Sequence, residues 1–309
     1  MTGEGKPRAT KSTGTGRETG DLCRAARKGR KPSPSARDGS TSRPARRPMN
    51  PPVTGQQPQQ SSFLEPFSHC AFAVACVVCG ALLLGLFHLF PGIDIAVSRL
   101  FFTAMACPAG FAADAACGRF GLEQATVAAA VRNVLHVAPV VIAIAIAGLA
   151  LFRVVRLRRW RDPFNLAIVG LVTALALGPG VVVNLFLKEV SGRPRPRDTV
   201  LFGGDLPFVP AGTFSDHCLT NCSFVSGEAA ASFWLVGLAC LLPPAVRPGG
   251  TLVLCAVAAV GASMRVMFGA HYLSDALLGG IISLLFISIV AIALRGTAKA
   301  WEIGNAGGR

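Results

Sequence analysis

Six apolar runs, each close to the ~20 residues that a helix needs to cross a bilayer, leave this chain few ways to fold. They cover about residues 69–90, 134–152, 165–187, 229–246, 251–267 and 276–294. In hydrocarbon no water is available to the backbone, so the N–H and C=O groups of such runs must pair within their own segment, which means helices. The expectation is an all-α bundle of six transmembrane helices spanning residues 63–296, with a short tail at 297–309. A composition that is 51% hydrophobic and only 15% charged fits embedding better than a water-soluble core. Gly178-Pro179-Gly180 falls inside the third run and is expected to kink or loosen that helix.

Charge sets the orientation. The link between the second and third runs contains Arg153, Arg156, Arg158, Arg159 and Arg161, which assigns it to the cytoplasm. The basic N-terminal stretch, Arg247, and Arg295 with Lys299 fall on the same side by parity, so both termini are expected there. Residues 1–50 carry thirteen Lys/Arg against four Asp/Glu, nine of the chain's net charge of +14. Rich in Ser, Thr, Gly and Pro, residues 1–62 read as a disordered basic tail. The run Arg27–Lys31 has neither interleaved aromatic residues nor a folded module beside it, which argues against a nucleic-acid partner. Met49 precedes the polar linker and is an alternative translation start, which would leave part of the tail unmade.

With that orientation, loops 91–133 and 188–228 and the turn 268–275 face outward. The second loop holds Lys188, Arg193, Arg195 and Arg197, contrary to the usual charge bias. A phosphate-binding site is the simplest reason. Two more clusters lie on that side: Asn221-Cys-Ser-Phe-Val-Ser226-Gly227-Glu228 and Arg265-Val-Met-Phe-Gly-Ala-His271-Tyr-Leu-Ser-Asp275. Ionisable groups at the edge of a span are costly and mark function by default. His271 and Asp275, four apart, share a helix face, so the carboxylate is expected to hold the imidazole in one tautomer and to support positive charge on it.

Phosphoryl transfer needs cations on the equatorial oxygens and a nucleophile in line with the leaving group. Lys188, Arg195 and Arg265 are the candidate cations. A neutral His271 is a sound nucleophile. Ser226 and the Gly227 amide stand at the start of the fourth run, where free N–H groups and the helix dipole favour an anion. Arg193 and Arg197 read as screening charges or headgroup contacts, and Ser191 as a turn residue. No carboxylate cluster suited to Mg²⁺ stands out, so a reaction without metal or other cofactor is expected.

Of the ten cysteines, Cys70, Cys76, Cys79, Cys240 and Cys255 lie in apolar runs and read as small buried hydrophobes. Cys107/Cys117 and Cys218/Cys222 fall in outward loops, where disulfides are permitted; spacing alone decides neither pairing. Cys218 and Cys222 with His217 resemble half a zinc site, but a second pair of ligands is missing.

These clusters resemble the three-part signature of the type 2 phosphatidic acid phosphatase family, which shares its site with vanadium haloperoxidases and bacterial acid phosphatases. Lys188 followed at the family spacing by Arg195-Pro196 matches the first part. Arg265, His271 and Asp275 match the third, with Met264 where the family has Ser. The second part is Pro-Ser-Gly-His; here it is Val225-Ser226-Gly227-Glu228. The resemblance covers roughly residues 69–295. The form of the second cluster, with Phe90-Pro-Gly-Ile-Asp94 and Phe101-Phe102 after the first run, also resembles a bacterial branch that includes lipid A phosphatases.

The resemblance implies a phosphatase site at the periplasmic helix ends of a bacterial inner-membrane protein, acting on a membrane lipid phosphate. Lipid A leads; phosphatidic acid, phosphatidylglycerol phosphate and undecaprenyl diphosphate follow. His271 is implied to attack phosphorus with Asp275 in support, while Lys188, Arg195, Ser226, Gly227 and Arg265 hold the phosphate. In the family the second-part His protonates the leaving oxygen, and Glu228 stands in its place. Three readings stay open: Glu228 as the acid, Glu228 orienting Lys188 or an arginine, and His217 as a substitute acid. The missing His also sustains a rival reading, a non-catalytic protein that binds or moves anionic lipid.

Overall fold

The computed structural model describes residues 64–107, 116–159 and 162–306. The tail expected over residues 1–62, and Met49 within it, lie outside them. Five helices among the described residues are long and apolar enough to cross a membrane. They are α1 (Cys70–Leu89), α3 (Thr126–Leu157), the helix that starts as α4 (Pro163–Leu175) and runs on to Val190, α6 (Arg247–Met267), and α7 (Leu273–Ala306). Short helix α2 (Gly92–Arg99) follows α1.

The fourth apolar run forms a shorter element. It is helix α5 (Gly227–Trp234), continued as the tighter 3-10 turns of Leu235–Leu241. Allowing about 1.5 Å per residue for the first part and about 2.0 Å for the second, it reaches roughly 26 Å, slightly less than the ~30 Å hydrocarbon core. α5 lies inside the bundle, packed against α6 and α7.

Local chemistry explains several boundaries. Asp162 caps α4 by accepting from the Phe164 N–H at 3.0 Å, with Pro163 at the first helical position. Ser226 caps α5 through Oγ to the Ala229 N–H at 3.3 Å. Pro179 has no N–H, and in α winding its ring would press on the carbonyl of Leu175. The chain answers with π winding over Ala176–Leu187, so the expected kink is a stretch of widened turns. Asn184 Nδ2 donates to the Pro179 carbonyl at 2.7 Å within it.

The core sits where α4, α5 and α7 meet, around buried Leu171, Trp234, Leu235 and Ile287. The Trp234 indole N–H donates to the Leu171 carbonyl at 2.7 Å, which satisfies the polar tip of an otherwise apolar anchor. The outer faces of α1, α3 and α6 expose Val74, Leu82, Ile144, Leu151 and Leu252, as suits helices whose solvent is lipid. A small antiparallel hairpin, β1 (Phe102–Ala104) with β2 (Gly118–Phe120), is the addition that an all-helical expectation lacks. A Cys107–Cys117 disulfide closes it, and Phe102 and Phe120 pack with Phe202 and Tyr272.

Two ends of the bundle are chemically distinct. At one, Arg153 on α3 pairs with Asp162 and donates to Asn165 Oδ1 at 3.0 Å. At the other, Asp94 on α2, Arg193 after α4, and Ser274 and Asp275 on α7 bond one another directly. The helix expected to end before residue 297 continues to Ala306.

Candidate functional site

A charge with no access to solvent lies at the centre of the second end. Arg193 is fully buried. Its guanidinium donates to Asp94 Oδ2 at 2.8 Å, Asp275 Oδ1 at 2.5 Å, Ser274 Oγ at 2.9 Å and the Val209 carbonyl at 2.8 Å. It also lies over the Tyr272 ring, 4.3 Å from the centroid. Burial opposes its charge, but Asp275 and Asp94 outweigh that and hold the guanidinium above its ordinary pKa. The reading of Arg193 as a screening or headgroup charge is therefore corrected. It is an internal ion that joins three segments far apart in sequence.

Asp275 is occupied by the same network. Besides Arg193, it accepts from Ser223 Oγ at 2.5 Å and from the Tyr272 N–H at 3.0 Å. His271 is also buried, but its Nδ1 bonds the carbonyl of Ser223 at 2.7 Å and stands 3.9 Å from Asp275 Oδ2. The acceptor fixes Nδ1 as the protonated nitrogen and leaves the lone pair on Nε2. The tautomer is thus set by Ser223 rather than directly by Asp275. Burial, then Arg265, Arg195 and Lys188, push the imidazole well below its ordinary pKa, so the ring is neutral.

The cations come from three elements. Loop 191–226 folds back on itself, with Cys222 N–H to the Lys188 carbonyl at 3.3 Å and Ser223 N–H to the Arg193 carbonyl at 2.8 Å. Gly192 makes the turn possible. Its φ of +61° suits glycine, and an added Cβ would lie 1.6 Å from the Ser215 carbonyl oxygen. A Cys218–Cys222 disulfide closes the far side of the fold-back, which removes those two sulfurs from the zinc reading. It brackets Asn221, whose carbonyl accepts from Arg195 at 2.9 Å and whose Oδ1 faces Lys188 Nζ at 3.5 Å. Arg265, buried at the end of α6, reaches Glu228 Oε1 at 3.3 Å.

Glu228 Oε1 collects two further groups, both from α3. Arg132 donates to it at 2.8 Å, and His136 Nδ1 stands at 3.6 Å. Together with Leu135, Ser232, Gly261 and Met264 these side chains line a cleft between α3, α5 and α6. His217 is not among them; it is exposed in the loop, 3.8 Å from Asp216. Gly227 is set by packing, since a Cβ there would fall 2.3 Å from Asn184 Oδ1 on the π-wound segment. Ser226 is buried, its hydroxyl engaged as the α5 cap and its N–H donating to the Asp275 carbonyl at 3.0 Å.

A family model described as "PAP2 superfamily" matches residues 166–297, which takes in all three clusters. The lipid A 4'-phosphatase of Rhizobium etli is 40% identical over 220 residues, 68% of this chain and 82% of that protein. The chain belongs to the PAP2 superfamily. The lipid A 4'-phosphatase of Rhizobium leguminosarum is likewise 40% identical over 220 residues and is covered to 91% of its length. Among solved structures, the crystal structure of a transmembrane PAP2 type phosphatidylglycerolphosphate phosphatase from Bacillus subtilis aligns over 74% of this chain and 96% of its own, with 19% identity and a TM-score of 0.46.

In PAP2 terms, the first and third motifs meet as their spacing suggests: Lys188, Arg195 and Arg265 supply the positive field around His271. The second motif contributes differently. Ser226 and Gly227 shape the start of α5, and Glu228 pairs with arginines. Residues outside the motifs complete the arrangement: Asp94, Arg193, Ser223, Asn221, Arg132 and His136. Ser223 and Asn221 lay within a recognised cluster, but nothing in their spacing singled them out. A charge far from any loop centre, as at Asp94, was the signal available for the network.

Proposed function

We propose that this membrane-embedded PAP2 phosphatase removes a phosphate from lipid A at the outer face of the bacterial inner membrane, through a phosphohistidine on His271. The observation that carries the reading is the state of His271: neutral, with Nδ1 committed to Ser223, in the field of Lys188, Arg195 and Arg265. Lipid A as the substrate is supported by the two Rhizobium relatives at 40% identity. The outward placement is supported by the basic Arg153–Arg159 link at the opposite end of the bundle, and the same charge bias supports cytoplasmic termini.

In the first step Nε2 of His271 attacks phosphorus, the P–O bond to the lipid breaks, and the three cations take up the charge on the equatorial oxygens. The attacking ring becomes cationic. Ser223 stabilises that state directly, by accepting from Nδ1–H through its carbonyl, and Asp275 does so from 3.9 Å. Water then attacks the phosphohistidine, releasing phosphate and restoring the neutral ring. Asp275 and Arg193 position the site without touching phosphorus.

The test is phosphate release by the purified full-length protein from lipid A, phosphatidic acid, phosphatidylglycerol phosphate and undecaprenyl diphosphate, wild type against His271→Ala. The expected result is fastest release from lipid A, abolished in the variant. Equal release by both proteins would end the reading, and lipid binding without release by wild type would favour a carrier.

A further inference from the structure

The family places its general acid where this chain has Glu228, and Glu228 is poorly arranged to give up a proton. Its Oε1 accepts from Arg132 at 2.8 Å and faces Arg265 Nη1 at 3.3 Å. An oxygen in that position is an acceptor. The third group on the same oxygen is an imidazole, His136, from a different helix. Resting on the phosphatase reading above, we propose that His136 is the general acid of this enzyme, oriented by Glu228, and that it protonates the leaving oxygen of the lipid.

Three observations support the assignment. First, the pairing has the right polarity: Glu228 Oε1 faces Nδ1 of His136 at 3.6 Å, an acceptor that orients the ring and leaves Nε2 to point toward a leaving group. Second, His136 is half exposed, at 53% of its side chain, while Glu228 is at 17%; it lines the cleft between α3, α5 and α6 that Glu228 closes from within. Third, the depth is right. Counting ~20 residues back from Arg153, which marks the cytoplasmic edge of α3, puts the outer edge of the hydrocarbon near residue 133. Arg132 and His136 therefore sit where a lipid's headgroup meets its acyl chains. Arg132, on the same face, and Arg265 are the cations beside His136, and Glu228 is the carboxylate.

The step balances. As Nε2 of His271 bonds to phosphorus, the P–O electron pair leaves with the lipid oxygen, which takes the proton from Nε2 of His136. In the second step neutral His136 accepts a proton from the attacking water, and the cycle closes. His217 has no part in it.

The test compares two phosphate monoesters on wild type, His136→Ala and His271→Ala: lipid A, whose alkoxide leaving group needs a proton, and an aryl phosphate, whose phenolate does not. General acid catalysis contributes about 10²–10⁴-fold, so in a single turnover, before water attacks the phosphohistidine, the ratio of lipid to aryl leaving-group release should fall about 100-fold or more in His136→Ala. The aryl rate reports that the variant is folded. A single-turnover ratio unchanged from wild type, or equal loss of lipid and aryl release in that first turnover, overturns the assignment while leaving His271 as nucleophile. Failure of wild type to release phosphate from either ester overturns the phosphatase reading and this assignment with it.

Discussion

Nδ1 of His271 donates to the carbonyl of Ser223 at 2.7 Å, and Ser223 in turn donates its hydroxyl to Asp275 at 2.5 Å. One residue just ahead of the second motif therefore fixes the candidate nucleophile and links it to the buried carboxylate. The carbonyl contact survives any side-chain change at residue 223, but the link does not. Ser223→Ala is expected to keep the His271 tautomer and to lower kcat more than it changes KM, by about tenfold or more, the scale of one charge-assisted hydrogen bond of roughly 1.5–3 kcal/mol. Steady-state kinetics on lipid A checks it; a KM effect alone would contradict it.

Arg193→Met is expected to destabilise the protein severely. It leaves Asp94 and Asp275 as buried carboxylates without a counter-charge, and breaking a buried pair from one side costs about 3–5 kcal/mol. Asp94→Asn should cost less, since Asp275 still neutralises the guanidinium. Thermal unfolding in detergent ranks the two variants, and the reverse order would show that Arg193 is not the centre of the network.

The pH profile should extend into acid. Attack needs the neutral imidazole, and the folded-state pKa of His271 is lowered well below 6.5. Activity should therefore persist as pH falls through 6.5, with no acid limb at the ordinary histidine position. Stability follows the same linkage: below that pH the unfolded chain takes up a proton that the folded ring refuses, so the stability present above about pH 6.5 declines as pH falls. An acid limb of wild-type activity centred near pH 6.5, or a decline in stability below pH 6.5 that persists unchanged in His271→Gln, would contradict the buried neutral ring.

Glu228→Gln should lower kcat/KM by about tenfold or more. The amide keeps the shape but not the charge that faces Arg132, Arg265 and His136, and one charge-assisted hydrogen bond is worth roughly 1.5–3 kcal/mol. A variant with full activity would remove Glu228 from both acid–base and ion-pair roles.

Turnover should survive exhaustive chelation within twofold. Lys188, Arg195 and Arg265 supply the positive field that divalent ions provide in other phosphoryl transfers. Loss of activity with EDTA, restored by a specific metal, would show that those cations are insufficient.

Much of this was legible because apolar runs and fixed spacings report on single segments. The spans, the motif cations and His271 could each be read that way. What the sequence hid depends on where helices end and what meets across the bundle. Arg132 and His136 were assigned to a loop and an ordinary span, because the hydropathy of α3 reports the bilayer crossing and not the helix, which extends from Thr126 to Leu157. Arg193 looked like its exposed neighbour Arg197; only Asp94, 99 residues earlier, and Asp275, 82 residues later, distinguish it. Ser223 acts partly through its carbonyl, a group that every residue has.

The Arg193 network also imposes an order on biogenesis. At ~5–20 residues per second, the ribosome makes Arg193 several seconds before Asp275, and α7 is the last long helix among the described residues. Until α7 inserts, the guanidinium lacks one of its two carboxylates and Asp94 lacks Ser274. The interior charge then favours water over a closed bundle. That end of the bundle can close only once α7 has been made, so a product that stops before Ser274 and Asp275 is left with an open, uncompensated centre.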